Sequence, residues 1–104
     1  MKMLKIFNGI GATANNDYDF TANGVSPFNV GNDVVMMVCG TEDMDFTTTF
    51  LTDSAVSGTF AELIAAFDNE TALTKLFNIT IPDTLRATIA SRSAGTVDVY
   101  LISN

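Results

Sequence analysis

Polar and apolar residues alternate along several short stretches of the chain, which is the pattern of strands with one buried face. Residues 17–21 alternate in this way, and Asn23-Gly24 supplies turn residues directly after them. Residues 44–51 alternate between an apolar face and a hydroxyl-rich face. These patterns predict two half-buried strands, with Tyr18 and Phe20 of the first facing the core.

A different strand pattern covers residues 33–39, where apolar residues are almost continuous up to Gly40. Such a run is typical of a strand in the middle of a sheet. Its outer face is covered either by the same molecule or by another subunit, and the sequence leaves both open. Cys39, the only cysteine, ends this run, and we expect a buried small hydrophobic residue rather than a reactive thiol.

The rest of the chain predicts further strands at 1–6, 76–81, 85–90 and 97–102. Pro82-Asp83 and residues 93–95 supply the turns between the last three. The glycines of residues 9–11 indicate a turn and not a phosphate-binding loop, because the rest of a dinucleotide fingerprint is missing.

The segment 59–67 carries conflicting signals. Its apolar residues Phe60, Leu63, Ile64 and Phe67 have helical spacing, and Thr59 with Glu62 forms a capping box. The segment is nevertheless short for a helix that packing does not hold. A strand and a short helix both remain open there.

These elements predict an all-β fold. Threonine, valine, isoleucine and phenylalanine are plentiful, and nothing in the composition divides the chain. About seven or eight short strands with regular turns predict an antiparallel β-sandwich of jelly-roll or Ig-like type. We expect residues 1–104 to form a single domain, with residues 1–20 as a strand or arm that engages a partner subunit.

Charge and chemistry narrow the function. The formal net charge is −7 and lysine and arginine are not clustered, which disfavours nucleic acid and anionic membrane as partners. The chain has no histidine, so the usual general base and the serine and cysteine triads are missing. A structural zinc site would need more sulfur and nitrogen ligands than one cysteine supplies. We expect no enzymatic activity, no cofactor and no metal.

Two acidic clusters offer oxygen ligands for a hard cation such as calcium. They are Asp17 with Asp19, and Glu42 with Asp43 and Asp45. The interpretation we favour is a solvated polar edge that discourages pairing with other sheets.

Arg86 and Tyr100 are candidates for contacts between strands or subunits. Arg86 lies in an apolar, threonine-rich stretch, where it either pairs with an aspartate on a neighbouring strand or subunit or faces water. Tyr100 either anchors an interface or lies in the core with its hydroxyl group at the rim.

The second half of the chain resembles small virion proteins of tailed bacteriophages. The matching elements are a strand ending in a proline turn at 76–82, the Leu85-Arg86-Ala87-Thr88 strand, and a Val-x-Val-Tyr-Leu ending at 97–101. A valine-rich strand at 34–40 and a threonine-rich strand at 46–52 extend the resemblance to about residues 34–102. The sequence departs from the pattern over 54–71, where such proteins carry an aromatic strand in an Asp-Gly-rich hairpin.

The resemblance implies a capsid decoration, cement or head-fibre protein. Such a protein is made in the host cytoplasm, binds the major capsid protein on the virion surface and forms a homotrimer. For this function the candidate interface residues are Leu4, Ile6, Phe7, Arg86 and Tyr100. The alternative function is a carbohydrate-binding β-sandwich module of a phage tail or fibre. Its aromatic platform would be thin, because the chain has no tryptophan and two tyrosines.

Overall fold

The computed structural model describes residues 1–11, 15–40, 46–53, 60–70, 74–90 and 95–103. Within these ranges the chain forms strands and one short helix. They are β1 (Lys2–Ile10), β2 (Asn15–Asp19), α1 (Phe20–Asn23), β3 (Asp33–Gly40), β4 (Phe46–Asp53), β5 (Phe60–Glu70), β6 (Thr74–Thr80), β7 (Thr84–Ala90) and β8 (Val97–Ser103). No helix in the described part of the chain has the length and hydropathy to span a membrane.

The strands form two antiparallel sheets of four strands each. The first sheet has the order β1-β8-β3-β6 and the second has the order β2-β7-β4-β5. The first strand pairs with the last, the second with the seventh, and so inward to β4 and β5. The chain is therefore one long hairpin whose successive strand pairs alternate between the sheets, which is the jelly-roll topology. The predicted antiparallel β-sandwich is confirmed, in its jelly-roll and not its Ig-like form.

The core lies between the inner faces of the two sheets. β3, β7 and β8 each bury every second side chain, as a strand with one covered face does. The fully buried large side chains are Phe50, Met36, Ile81, Leu85, Ile89, Leu101, Val38, Val97 and Val99. Burying one such side chain contributes about 1.5–3 kcal/mol, so these apolar residues account for the stability of the sandwich.

β3 occupies the interior of the first sheet, as its apolar run predicted. It pairs with β8 on one side and with β6 on the other. The predicted strands near 76–81, 85–90 and 97–102 are also confirmed as β6, β7 and β8. The predicted turn at Pro82-Asp83 connects β6 to β7.

The segment 59–67 forms part of β5 from Phe60 onward, so the helical alternative is wrong. The backbone of β5 pairs with β4, with Phe60 opposite Asp53 and Ile64 opposite Phe50. The register shifts at several points along this pairing. A shift of this kind inserts an extra residue and lengthens the strand repeat locally. Apolar residues in such an irregular strand can therefore have the spacing of a helix.

The short helix of the fold lies instead at Phe20–Asn23. The Asp19 carboxylate accepts hydrogen bonds from the amides of Thr21 and Ala22 at 2.9 and 3.2 Å, so Asp19 ends β2 and caps the helix. The strand predicted at 17–21 is correspondingly wrong in its last two residues. The predicted inward orientation is confirmed, because Phe20 is buried and Tyr18 packs against the core.

β1 confirms the first predicted strand and extends it to Ile10. Its pairing with β8 shifts register on both sides of Phe7, and Gly9 lies within the second shift at a φ of 63°. A positive φ of this size favours glycine, which explains the glycine found there. The sequence predicted a turn at this point, and the structure has an irregular end of a strand.

Candidate interaction surface

The outer faces of the two sheets differ sharply in chemistry. Among the described side chains, the outer face of the second sheet is mostly polar. Leu51 and Phe60 are its half-buried apolar residues. Its polar residues include Asn15, Asp17, Asp19, Thr49, Glu62, Thr84, Arg86 and Thr88. A face with this composition is well suited to contact with water.

The outer face of the first sheet is apolar at its centre. The register aligns Met3, Ile102 and Val35 across β1, β8 and β3, and it aligns Tyr100, Met37 and Leu76 across β8, β3 and β6. We call these six residues the outer apolar face. Leu76 is 63% exposed and Met3 is 48% exposed, while the side chains on β3 and β8 are half-buried. A contiguous exposed apolar surface of this kind marks an interaction site on many proteins.

The sequence left open whether the outer face of β3 is covered by the same molecule or by another subunit. The described residues do not cover this face. The inner side chains of β3 are buried and the intervening ones are half-buried. That another subunit covers the outer face remains a prediction. Cys39 lies at the border of the outer apolar face and is half-buried. Its predicted burial is wrong. Val38, the residue before it, points into the core, and strand alternation therefore points Cys39 to the outer face.

Paired polar groups border this face. The Nζ atom of Lys5 lies 3.6 Å from Oδ2 of Asp98 and 5.3 Å from the centre of the Tyr100 ring. Oδ1 of Asp98 accepts a hydrogen bond from the Gly9 amide at 2.6 Å. Tyr100 therefore lies on the outer surface of the sheet, and its alternative placement in the core is wrong. Its role at an interface stays a prediction.

Arg86 lies on the opposite side of the molecule, on the outer face of the second sheet. Its Nε and Nη2 atoms donate to Oδ1 and Oδ2 of Asp17 at 2.7 and 2.9 Å. Its guanidinium carbon lies 3.8 Å from the centre of the Phe60 ring. The predicted pairing with an aspartate on a neighbouring strand is confirmed, and Arg86 also faces outward, with 26% of its side chain exposed. The hydrogen bonds and the positive charge of Arg86 lower the pKa of Asp17.

The interface candidates on β1 lie mostly inside the sandwich. Ile6 and Phe7 are buried in the core, and Leu4 is half-buried against it. Residues 2–10 form the edge strand of their own first sheet. Of the apolar side chains of β1, that of Met3 is exposed. The structure does not bring these candidates together with Arg86.

The first acidic cluster has structural roles. Asp17 binds Arg86, and Asp19 caps α1. The second cluster, at residues 42–45, lies outside the described residues. Within the described ranges, no group of three or more His, Cys, Asp or Glu side chains is placed to hold a metal ion.

One open depression of about 530 Å³ adjoins the outer apolar face. Val35 and Ile102 belong to both, and the polar lining comes from Asp33, Asn78, Thr80 and Ser103. The Thr80 hydroxyl donates to the Asp33 carboxylate at 2.6 Å. The depression therefore forms the polar end of the surface that contains the outer apolar face.

Only part of the outer apolar face is predictable from the sequence. The continuous run on β3 gave a signal, and Tyr100 was a candidate. Met3, Leu76 and Ile102 come from distant parts of the chain, and only the strand register aligns them.

Comparisons with family models, with curated proteins and with solved structures find no match to this chain. The resemblance to phage virion proteins therefore depends on the sequence elements at 34–102 alone.

Proposed function

We propose that this chain is a non-enzymatic virion structural protein that decorates and stabilises a bacteriophage capsid. The observation that carries the proposal is the outer apolar face, a sheet surface whose apolar side chains are exposed or half-buried. The sequence resemblance supplies the kind of assembly, and the jelly-roll topology, which is common in capsid proteins, is compatible with it.

The outer apolar face exposes apolar side chains to water. Removing apolar area from water lowers the free energy by about 25 cal/mol per Å². Covering exposed residues such as Leu76 and Met3 with a partner is therefore favourable. Polar side chains at these positions would suit a face that stays in water. The chain has polar residues on the outer face of its second sheet and apolar ones here, which supports an assembly role for the first.

Stabilisation of a shell would follow from mass action. Copies that bind the assembled capsid and not its free subunits shift the equilibrium away from disassembly. A symmetric homo-oligomer, a trimer in the resemblance, would engage a symmetry point of the shell at several sites at once. In this proposal β1, an edge strand among the described strands, offers backbone groups for pairing with a strand of the major capsid protein.

The carbohydrate-binding alternative has less support from the geometry. A sugar platform needs exposed aromatic rings. The Tyr18 ring lies 4.7 Å from Phe20 and 6.5 Å from Phe7, which are both core residues. Tyr100 is half-buried, with Lys5 over its ring. The geometry therefore supports the carbohydrate-binding function less than the capsid-decorating function.

The decisive experiment uses capsids of the phage whose genome encodes the chain, prepared without it. Purified protein is added in increasing amounts, and bound protein is measured by cosedimentation. We expect saturation at a fixed number of copies per shell and an increase in the temperature at which the shell opens. An unrelated protein of similar size and acidity is the control. Absence of the chain from purified virions by mass spectrometry, together with no saturable binding, would refute the proposal.

A further inference from the structure

Two Asn-Gly steps occur in the chain, Asn8-Gly9 and Asn23-Gly24, and their surroundings differ. We infer that Asn8 is a site of spontaneous chemical modification. The main-chain nitrogen of Gly9 attacks the side-chain amide of Asn8, and the carboxylate of Asp98 restrains this attack. The reaction needs no partner, so it is independent of the proposed function.

The reaction converts asparagine to two acidic products. Glycine favours it, because a residue without a Cβ atom lets its nitrogen approach closely. A new N–Cγ bond closes a cyclic imide and the Cγ–Nδ2 bond breaks. Water carries the proton of the attacking nitrogen to the leaving group, which departs as ammonia. A second water opens the imide at either carbonyl, which gives aspartate or isoaspartate, and isoaspartate has one more carbon in the main chain.

The step at Asn8 lies in an irregular part of β1. The pairing with β8 shifts register between Phe7 and Ile10, and both Asn8 and Gly9 fall within this shift. The Asn8 side chain is exposed and, within the described part of the chain, makes no hydrogen bond. Gly9 has a φ of 63°, and a Cβ atom there would meet no other atom within 4 Å. There is therefore room around this step for the imide to close.

The step at Asn23 has the same two residue types in a closed setting. Nδ2 of Asn23 donates to the main-chain oxygen of Asp19 at 3.0 Å, and the Gly24 amide donates to that of Phe20 at 2.9 Å. A Cβ atom at Gly24 would lie 2.6 Å from the same Phe20 oxygen. Phe20 and Phe28, on either side of the step, are buried in the core. Ring closure at Asn23 therefore requires local unfolding of this region.

A single described contact restrains the nitrogen of Gly9. Its amide donates to Oδ1 of Asp98 at 2.6 Å. The nitrogen becomes negative when it loses its proton for the attack, and a carboxylate beside it disfavours that charge. The charge-assisted hydrogen bond also holds the proton on the nitrogen. Asp98 therefore slows a reaction that the Asn8-Gly9 sequence favours.

The products change the end of β1. Both add a negative charge one residue before Gly9, whose amide donates to the Asp98 carboxylate. Like charges this close repel each other. Isoaspartate also lengthens the main chain where the register shifts. The modification should therefore loosen the pairing of this end of β1 with β8 as the protein ages.

The first test compares the two steps in one sample of the folded wild-type protein, incubated in mildly alkaline buffer. Chymotrypsin cleaves after Phe and Tyr, so it places Asn8 and Asn23 in different peptides, and tandem mass spectrometry follows the conversion of each. We expect Asn8 to convert at least about tenfold faster than Asn23, because fewer contacts must break. In concentrated urea the two rates should be similar, because structure no longer distinguishes the steps.

The second test removes the restraint. Asp98→Ala should speed the conversion of Asn8 by about two- to tenfold, the effect of one lost hydrogen bond, and leave Asn23 in the same sample unchanged. Asp33→Ala is the matched control, because it removes another hydrogen-bonded carboxylate. Asp33 lies at the opposite end of β3 from Cys39, the residue that pairs with Asp98. Asn8 should convert in this control at the wild-type rate.

Each result bears on the site or on the restraint. No conversion of Asn8, or equal rates for Asn8 and Asn23 in the folded protein, would overturn the site. An unchanged or slower rate for Asn8 in Asp98→Ala would overturn the restraint. Faster conversion of both residues in that variant would show a general loosening of the fold and would also overturn a specific restraint by Asp98.

Discussion

Arg86 and Asp17 form a two-point ion pair across the second sheet, with Nε–Oδ1 and Nη2–Oδ2 distances of 2.7 and 2.9 Å. The two residues lie directly opposite each other in the antiparallel pairing of β7 with β2. The guanidinium group also stacks on Phe60 of β5. One side chain thus connects both edge strands of the second sheet.

Removing either partner of this pair should weaken the second sheet modestly. The side chains of Arg86 and Asp17 are 26% and 42% exposed, so solvent screens their attraction, and we expect each of Arg86→Gln and Asp17→Asn to cost about 1 kcal/mol or less. Urea unfolding measures the free energy of unfolding of both variants and of the double variant. The double-variant cycle should give a favourable coupling energy. Additive losses would show that the ion pair itself contributes nothing.

The same pair makes stability depend on pH in a defined direction. Hydrogen bonds from Arg86 lower the pKa of Asp17 in the folded protein below that of an unfolded aspartate, about 3.9. The stabilisation is therefore fully present above about pH 5 and is lost as pH falls through the lowered pKa. Wild type should be more stable than Asp17→Asn at about pH 7, and the difference should be smaller at about pH 2. An equal difference at both values would show that the Asp17 charge has no role.

The fold was largely predictable because the strand signal is local. Alternation in β6, β7 and β8 depends on neighbouring residues, so the strands follow directly from the sequence. Two predictions were wrong, the end of β2 and the helical alternative at 59–67, for physical reasons that are not visible in a residue pattern. The side chain of Asp19 caps a helical turn and ends β2 one residue before Phe20. The register shifts of β5 against β4 break the two-residue repeat, and the apolar residues of 59–67 then imitate a helix.

The candidate surface was only partly predictable because it depends on long-range register. Arg86 was found because an arginine in an apolar, threonine-rich strand needs an explanation. The sequence signal at β1 pointed to Ile6 and Phe7, which the bulged pairing with β8 turns into the core. Met3 and Ile102 are adjacent only because the first and last strands pair. No local pattern contains that information.

The contrast between inner and outer leucines provides a test of the sandwich. Leu101 is fully buried on the inner face of β8, whereas Leu76 on the outer face of β6 is 63% exposed. We expect Leu101→Ala to cost about 2–5 kcal/mol, from lost burial and the cavity that remains. The matched Leu76→Ala variant should stay within about 0.5 kcal/mol of the wild type. Similar losses in both variants would contradict the assignment of the two faces.

Asp98 combines a charge contact and a backbone contact, and substitutions can separate them. Its Oδ1 atom accepts from the Gly9 amide at 2.6 Å, where the pairing of β1 with β8 shifts register. Its Oδ2 atom faces Lys5 at 3.6 Å, with both side chains more than a third exposed. We expect the ion pair to contribute little and the hydrogen bond to contribute more, about 0.5–1.5 kcal/mol.

Asp98→Asn keeps an acceptor for the Gly9 amide and removes the charge, so its free energy of unfolding should stay near that of the wild type. Asp98→Ala removes both contacts and should lose most of the stated amount. Lys5→Met keeps the length of the side chain and serves as the control for the charge, so it should behave like Asp98→Asn. Urea unfolding at low and high salt separates the contributions, because salt screens the ion pair and leaves the hydrogen bond. If Asp98→Asn and Asp98→Ala lose equal stability, charge and not the backbone hydrogen bond holds the irregular end of β1.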